Sequence, residues 1–302
     1  MARITRDLEN VLATGPAAWL GWLPLMVLPL AAVLAGFCVT PWAWMWLLAL
    51  SLGFGCKWLT WWTSDRRGNA TAARQWAYFL AWPGMNARHF LDDTNPCPRP
   101  PRREWFFAAG KTFLGAAVLW GLPRVLPDAC ELLTGWVGLV GLVLVLHFGL
   151  FHLLALCWRR AGVAAPPIMR APLRATSVSE FWNQRWNVAF HQLMDRFVFR
   201  PLARKTNIPI ACLAGFLASG LIHDLVISVP ARGGYGRPTA YFLAQGCAVL
   251  LERRHGLRGN WRGWIFTMIV TAAPLGWLFH PPFIRNVILP MLHAIGATSS
   301  NL

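Results

Sequence analysis

Acidic residues are scarce in this chain of 302 residues. Only 12 Asp and Glu stand against 28 Lys and Arg, and charged residues of both signs make up 13%. Soluble domains carry about a quarter charged residues, so an ordinary soluble fold is excluded, and the low polarity excludes a disordered one. Paired cysteines are also missing. Cys38, Cys56, Cys97, Cys130, Cys157, Cys212 and Cys247 are scattered with no Cys-x-x-Cys. Most lie in or beside apolar runs, where a thiol behaves as a small hydrophobe, so neither a metal site nor a disulfide framework is expected. There is no Gly-x-Ser-x-Gly, no Cys with a His close by in sequence and no phosphate-cradling glycine loop. No set of His and carboxylates has the helical spacing that a metal needs. A repeat with a period of roughly 20 to 50 residues is absent, which argues against a solenoid. Met1 to Asn10 carries Arg3, Arg6, Asp7 and Glu9 but no short apolar core with a small-residue cleavage site. The first apolar run is therefore expected to be a retained anchor.

What is present is apolar and aromatic. The chain is 56% hydrophobic, contains 19 Trp and has a formal charge of +16. Its mean hydropathy is positive. The charges lie between apolar runs of bilayer length, which argues against nucleic-acid binding. Spans are expected at 17–37, 41–62, 106–122, 132–158, 208–229, 238–251 and 264–279, with a short eighth at 286–295. The fold class is thus an all-α polytopic transmembrane bundle of about seven or eight spans in one domain over 1–302, opened by a helical pair within 1–62. With a cytoplasmic N-terminus, the loops 63–106, 159–206 and 252–262 hold 20 Arg and Lys, whereas the opposite loops hold only Arg124, Arg232, Arg237 and Arg285. That asymmetry follows the positive-inside rule. Trp42, Trp44, Trp46, Trp58, Trp61, Trp62, Trp261 and Trp264 gather at span ends, as interfacial belts do.

Two cytoplasmic stretches are more than loops. Thr71 to Asp92 is too short to span and too apolar to be solvated. In Ser177 to Arg200, Ser177 and Glu180 form a capping box. Glu180, Asn183, Gln184, Asn187, His191 and Asp195 then share one helical stripe, opposite Phe181, Trp182, Trp186, Ala189, Phe190, Leu193 and Phe197. Such a helix lies in the interface plane or buries its stripe against a cavity, and composition favours the first. His223 lies deep in an apolar run, with Ser219 one turn before it. An ionisable group there usually marks a functional site; the plain alternative is a packing histidine bonded to a neighbouring helix. His147 and His152 raise the same question without a polar neighbour within a turn. His191 lies on the interfacial stripe, and His89, His255, His280 and His293 sit at or near segment edges; these are expected to be solvated. The remaining chemistry is one neutral His acting as general base within the membrane.

Phe181-Trp182-Asn183-Gln184-Arg185-Trp186-Asn187, followed about 35 residues later by Ser219-Gly220-Leu221-Ile222-His223-Asp224, resembles the paired signature of membrane-bound O-acyltransferases. Within that superfamily the chain is most similar to the wax synthase branch, the long-chain-alcohol O-fatty-acyltransferases. Trp82-Pro83-Gly84-Met85 and His280-Pro281-Pro282-Phe283-Ile284 add to the resemblance, which spans roughly 76–290. It implies a helical bundle around a central chamber, with His223 and Asn187 as the catalytic pair. Trp186, Arg185, Asn183, Ser219 and Asp224 would be substrate-binding neighbours. Gln184-Arg185-Trp186-Asn187 stands where the diacylglycerol and sterol branches have an acidic-aromatic-aromatic-asparagine run, which argues against those branches. The implied reaction transfers an acyl group from acyl-CoA, a co-substrate, to a fatty alcohol, giving a wax ester with no cofactor and no metal. His223 would take the hydroxyl proton, which requires the neutral imidazole that an apolar setting favours. Asn187 would orient the reactants, and cytoplasmic basic residues would hold the CoA phosphates. Two alternatives stay open: another hydroxyl acceptor (a glycan, a glycerolipid or a small alcohol), and a non-enzymatic transporter with His223 and Asp224 on a proton path. The excess of Arg over Lys hints at a GC-rich bacterial genome and so at a bacterial inner membrane.

Overall fold

The computed structural model describes residues 18–298 apart from 66, 93, 95 and 96. Arg3, Arg6, Asp7 and Glu9, on which the retained-anchor expectation leans, lie outside the described residues. All regular structure among the described residues is helical. The main helices are α1 (Leu23–Ala35), α2 (Pro41–Trp62), α3 (Ala72–Leu80), α4 (Ala87–Leu91), α5 (Arg102–Gly121) and α6 (Glu131–Arg160). They continue with α7 (Val178–Glu180), α8 (Val188–Met194), α9 (Ile208–Ala231), α10 (Arg237–His255), α11 (Trp261–Ala272) and α12 (Pro281–Ala294).

The all-helical membrane fold holds, but seven or eight spans are not established. Three stretches are long and apolar enough to cross a bilayer: Arg102–Arg124, α6 and α9. The pair Trp261–Leu278 and α12, bent by 60°, adds a fourth if it counts as one span. α1 has 13 residues, about 20 Å of helix against a hydrocarbon core of about 30 Å. α10 ends in Glu252, Arg253, Arg254 and His255.

Glycines let the membrane helices approach closely, as small residues do in lipid. A Cβ on Gly141 would stand 2.7 Å from the Leu119 backbone, and one on Gly115 2.6 Å from the Val145 nitrogen. α5 and α6 therefore touch along their backbones. α1 and α2 meet at Gly55 against Leu25, and Trp44 Nε1 donates to the Ala32 carbonyl at 2.8 Å. Trp44 is thus a buried packing residue and not part of an interfacial belt.

The largest apolar core surrounds α12, where Ile284, Val287, Ile288, Met291 and Leu292 are buried. A second core gathers Tyr78, Trp82, Phe90 and Leu91 from the 71–92 segment, with Trp158 packed against it. The segment therefore folds as α3 and α4 and does not span. Lys57, buried in α2, donates to the carbonyls of Tyr78 at 2.7 Å and Gly84 at 2.9 Å. Burial raises the pKa of the Tyr78 phenol, which is hydrogen-bonded to Thr60.

The segment after α8 runs on in helical form through 195–199 and Arg200–Lys205. The chain then reverses at Thr206 and Asn207, with Asn207 Oδ1 capping the first turn of α9. Residues 188–205 fold back along α9 as a hairpin. Phe199 joins the cluster of Cys212, while further along the Phe190 ring reaches that of His223 at 6.1 Å.

Candidate active site

The candidate residues are delivered by a break in a helix. Ser177 Oγ caps the Glu180 nitrogen as the capping box requires. The Glu180 carboxylate reaches back one residue further than expected, accepting from the Thr176 nitrogen at 2.7 Å and its hydroxyl at 2.9 Å. Residues 181–185 then widen into a π-turn. The helix stops at Trp186, which is extended, and Asn187, whose φ of +40° is left-handed. A new helix starts at Val188 with the Asn187 Oδ1 accepting from the Phe190 nitrogen at 3.3 Å. The single amphipathic stripe expected over 177–200 is therefore divided. Asn is among the few side chains that tolerate this backbone region. The break is held from a distant segment: the Val188 nitrogen donates to the Ile168 carbonyl, and the Asn187 nitrogen to Met169 Sδ.

His223 lies in α9, 15 residues after Ile208, or about 22 Å along the helix. Its Nδ1 is 2.7 Å from the Ser219 carbonyl. A carbonyl only accepts, so Nδ1 carries the proton and Nε2 of the neutral ring keeps a lone pair. Ser219 thus supports His223 through its carbonyl, while its hydroxyl donates to Gly215. Phe242 lies 4.3 Å from the His223 ring between centroids, and Trp182 lies 5.5 Å from Phe242. The π-turn that precedes Asn187 therefore also places Trp182 in the wall behind His223. Phe190 touches both residues: its nitrogen donates to Asn187 Oδ1, and its ring meets the His223 imidazole edge-on with centroids 6.1 Å apart.

The other sequence candidates separate into different roles. Trp186 stacks on Phe181 at 5.7 Å and packs with Phe148, Ile168, Met169 and Ala189. Arg185 pairs with Glu180 at 2.6 Å and donates to the carbonyls of Arg170 and Ala171. Burial tends to raise the pKa of Glu180, but the Thr176 and Arg185 donors outweigh it, and the net shift is downward. Asn183 is exposed. Asp224 turns away into the fold. Its carboxylate accepts from Ser228 Oγ, from the Gly236 and Thr239 nitrogens and from the Thr239 hydroxyl, and so caps α10. These bonds join α9 to α10 behind His223. Ser228 Oγ also meets His280 Nε2 at 3.2 Å.

Three polar arrangements escaped sequence reasoning because their partners come from other helices. His280, expected to be solvated, is fully buried and accepts from the Phe283 nitrogen through Nδ1. His152 accepts from Lys111 at 2.8 Å and donates to Glu104 at 3.2 Å, and Glu104 also binds Arg159. Glu252, fully buried, accepts from the Val178 nitrogen at 2.5 Å and the Ser179 nitrogen at 3.1 Å.

A cleft opens beside the break. Its walls include Trp82, Gly84, Met85, Asn86 and His89 from the α3–α4 region, Ile168 and Arg170, and Val188, Ala189 and Gln192 of α8. The Trp82–Met85 segment and the start of α8 thus share one opening.

Residues 165–244, which include both Asn187 and His223, match the Membrane bound O-acyl transferase family. The chain is 28% identical over 142 residues to the probable long-chain-alcohol O-fatty-acyltransferase 7 of Arabidopsis thaliana, a match covering 41% of this chain and 42% of that protein. It is 32% identical over 140 residues to the probable long-chain-alcohol O-fatty-acyltransferase 2 of the same plant, covering 41% of each. It is 27% identical over 153 residues to the acyl-CoA–sterol O-acyltransferase 1 of that plant, covering 43% of this chain and 44% of the relative. The chain thus aligns with about two fifths of the length of these relatives. The sterol relative weakens the argument drawn from Gln184-Arg185-Trp186-Asn187 against a sterol branch. The relatives are plant proteins, so a bacterial inner membrane gains no support from them.

Proposed function

We propose, from the match of residues 165–244 to the Membrane bound O-acyl transferase family, that the protein esterifies a long-chain alcohol with an acyl group from acyl-CoA. The observation that carries this reading is the tautomer of His223, whose Nδ1–H is engaged by the Ser219 carbonyl and whose Nε2 is left to act as base. The alcohol gives its proton to His223 Nε2 as its oxygen attacks the thioester carbonyl. The carbon–sulfur bond then breaks, the ester forms, and the imidazolium returns the proton to the CoA sulfur. Asn187 orients the reacting oxygens from the break before α8. The acyl chain and the alcohol enter from the bilayer, while the CoA phosphates stay on the basic, cytoplasmic side with the N-terminus. The sterol-acyltransferase relative favours a second reading, in which the acceptor is a sterol hydroxyl.

Purified protein incubated with labelled acyl-CoA and a panel of long-chain alcohols, sterols, glycerolipids and glycans decides between these. Wax ester as the main product supports the first reading, and sterol ester the second. Ester formation from none of them overturns both. His223→Ala, expressed and inserted like the parent, should lower the rate by about 10² to 10⁴, the usual contribution of a general base. Retention of more than half the parent rate removes His223 from catalysis.

A further inference from the structure

Resting on the acyltransferase reading, we infer that His147 is a second substrate-contacting histidine, whose Nδ1 binds the acceptor hydroxyl. Among the described residues its Nδ1 is buried without any hydrogen-bond partner. Buried polar atoms are nearly always satisfied, and each exception calls for an explanation. His152, on the same helix, and His280, at the start of α12, have both ring nitrogens engaged. His147 therefore stands apart from them.

Its position supplies the explanation. His147 lies within the π-helical stretch Leu144–Leu150 of α6. π-turns inside α-helices are frequent at functional sites. Of the four other π-turns among the described residues, two lie at the candidate pair: Phe181–Arg185 precedes Asn187, and Asp224–Ser228 follows His223. The His147 ring packs edge-on against Phe151 at 5.4 Å. Phe151 in turn belongs to the cluster of Met169, Ala189 and Trp186, which surrounds Asn187 in sequence and whose Met169 sulfur receives the Asn187 N–H. One aromatic ring thus separates His147 from the wall that carries Asn187. A hydroxyl both donates and accepts, so it satisfies Nδ1 in either neutral tautomer, whereas a thioester carbonyl satisfies only one. α6 is an apolar membrane helix, and a long-chain alcohol reaches it from the bilayer.

Phenylalanine and asparagine at position 147 make the test. His147→Phe fills the same space without a polar atom, and His147→Asn restores one close to where Nδ1 stands. His147→Phe should melt no lower than the parent, because it removes an unsatisfied buried nitrogen. It should raise KM for the alcohol about tenfold, the loss of roughly one hydrogen bond, and leave KM for acyl-CoA within about twofold. It should also lose the rise in melting temperature that the alcohol alone gives the parent, and His147→Asn should recover most of both effects. An unchanged alcohol KM in His147→Phe, or equal impairment of the two variants, overturns the inference. If the parent forms no ester with any acceptor, the acyltransferase reading fails. The alcohol-dependent melting shift then still reports on His147: a shift equal in parent and His147→Phe overturns the assignment, and a shift lost only in His147→Phe supports it.

Discussion

The proposed catalytic role of Asn187 and its role in the turn can be separated by substitution. Its left-handed backbone turns the chain between the π-turn and α8, and its amide faces the region that Phe190 shares with His223. Asn187→Gly keeps the backbone and removes the amide, whereas Asn187→Ala also adds about 1 kcal/mol of strain at a positive φ. Both should lower kcat at least tenfold, with Ala also lowering the melting temperature more than Gly, while Asn183→Ala at an exposed position should be mild. A Gly variant with the parent kcat would reduce Asn187 to a turn residue. Glu180 gives the residue scale a pH dependence. Its pKa lies below the ordinary 4.5 in the folded chain. Its contribution to stability is therefore full above that value and is lost as pH falls through the lowered one. Thermal unfolding of Glu180→Gln should lack the part of the parent's acid-side decline that falls below about pH 5.

At the scale of elements, the short α7 depends on a carboxylate from α10. Glu252 is fully buried and receives the Val178 and Ser179 nitrogens and the Ser179 hydroxyl, with Arg258 at 3.2 Å. Glu252→Gln keeps the shape but removes the charge that strengthens these bonds, and its NH₂ opposes their donors. It should cost about 2 kcal/mol, seen as a fall of several degrees in the melting temperature. A variant that melts like the parent would show that α7 is held by its apolar contacts alone. The elements differ in how far the sequence reveals them. Spans expected at 106–122, 132–158 and 208–229 appear as Arg102–Arg124, Glu131–Arg160 and Ile208–Ala231, and the run expected at 41–62 appears as the helix Pro41–Trp62. Apolar run length and flanking Pro, Asn or charged residues mark such ends locally. The break at Trp186 and Asn187 has no local mark, because the Ile168 carbonyl and the Met169 sulfur that stabilise it lie about 20 residues upstream. The same reason hid Glu252, His280 and the Lys111–His152–Glu104 chain. Asn187 and His223 were legible as a pair only through their family spacing, and Phe190, which links them, carried no signal of its own.

At the scale of the whole molecule, the 188–231 hairpin ties chemistry to topology. α9 has 24 residues, about 36 Å of helix, enough to carry its ends to opposite sides of a hydrocarbon core of about 30 Å. His223 lies about 22 Å from the turn at Thr206 and Asn207 along its arm, and Asn187 about 28 Å along the other, one helical turn beyond Phe190, which meets the His223 ring. Arg200, Arg204 and Lys205 lie beside that turn, and Arg232 lies past the far end of α9. The positive-inside rule then places the turn in the cytoplasm, together with Arg102 and Arg170, and Arg232 on the other side. Single cysteines at these three positions, in a protein whose seven native cysteines are replaced, should show this by labelling of sealed cells with a membrane-impermeant maleimide. Position 232 should react at once, and positions 102 and 170 only after permeabilisation. Arg170 bonds the Arg185 carbonyl at the Asn187 break, far along the hairpin from the turn, so its labelling from the cytoplasm requires the cleft that it lines to open on that side, where a charged CoA headgroup can approach. A further single cysteine at 204, beside the turn, labelled from the same face as 232 would mean that α9 does not cross the bilayer. The acyl donor would then need a different route to His223, even if the histidine itself proved essential.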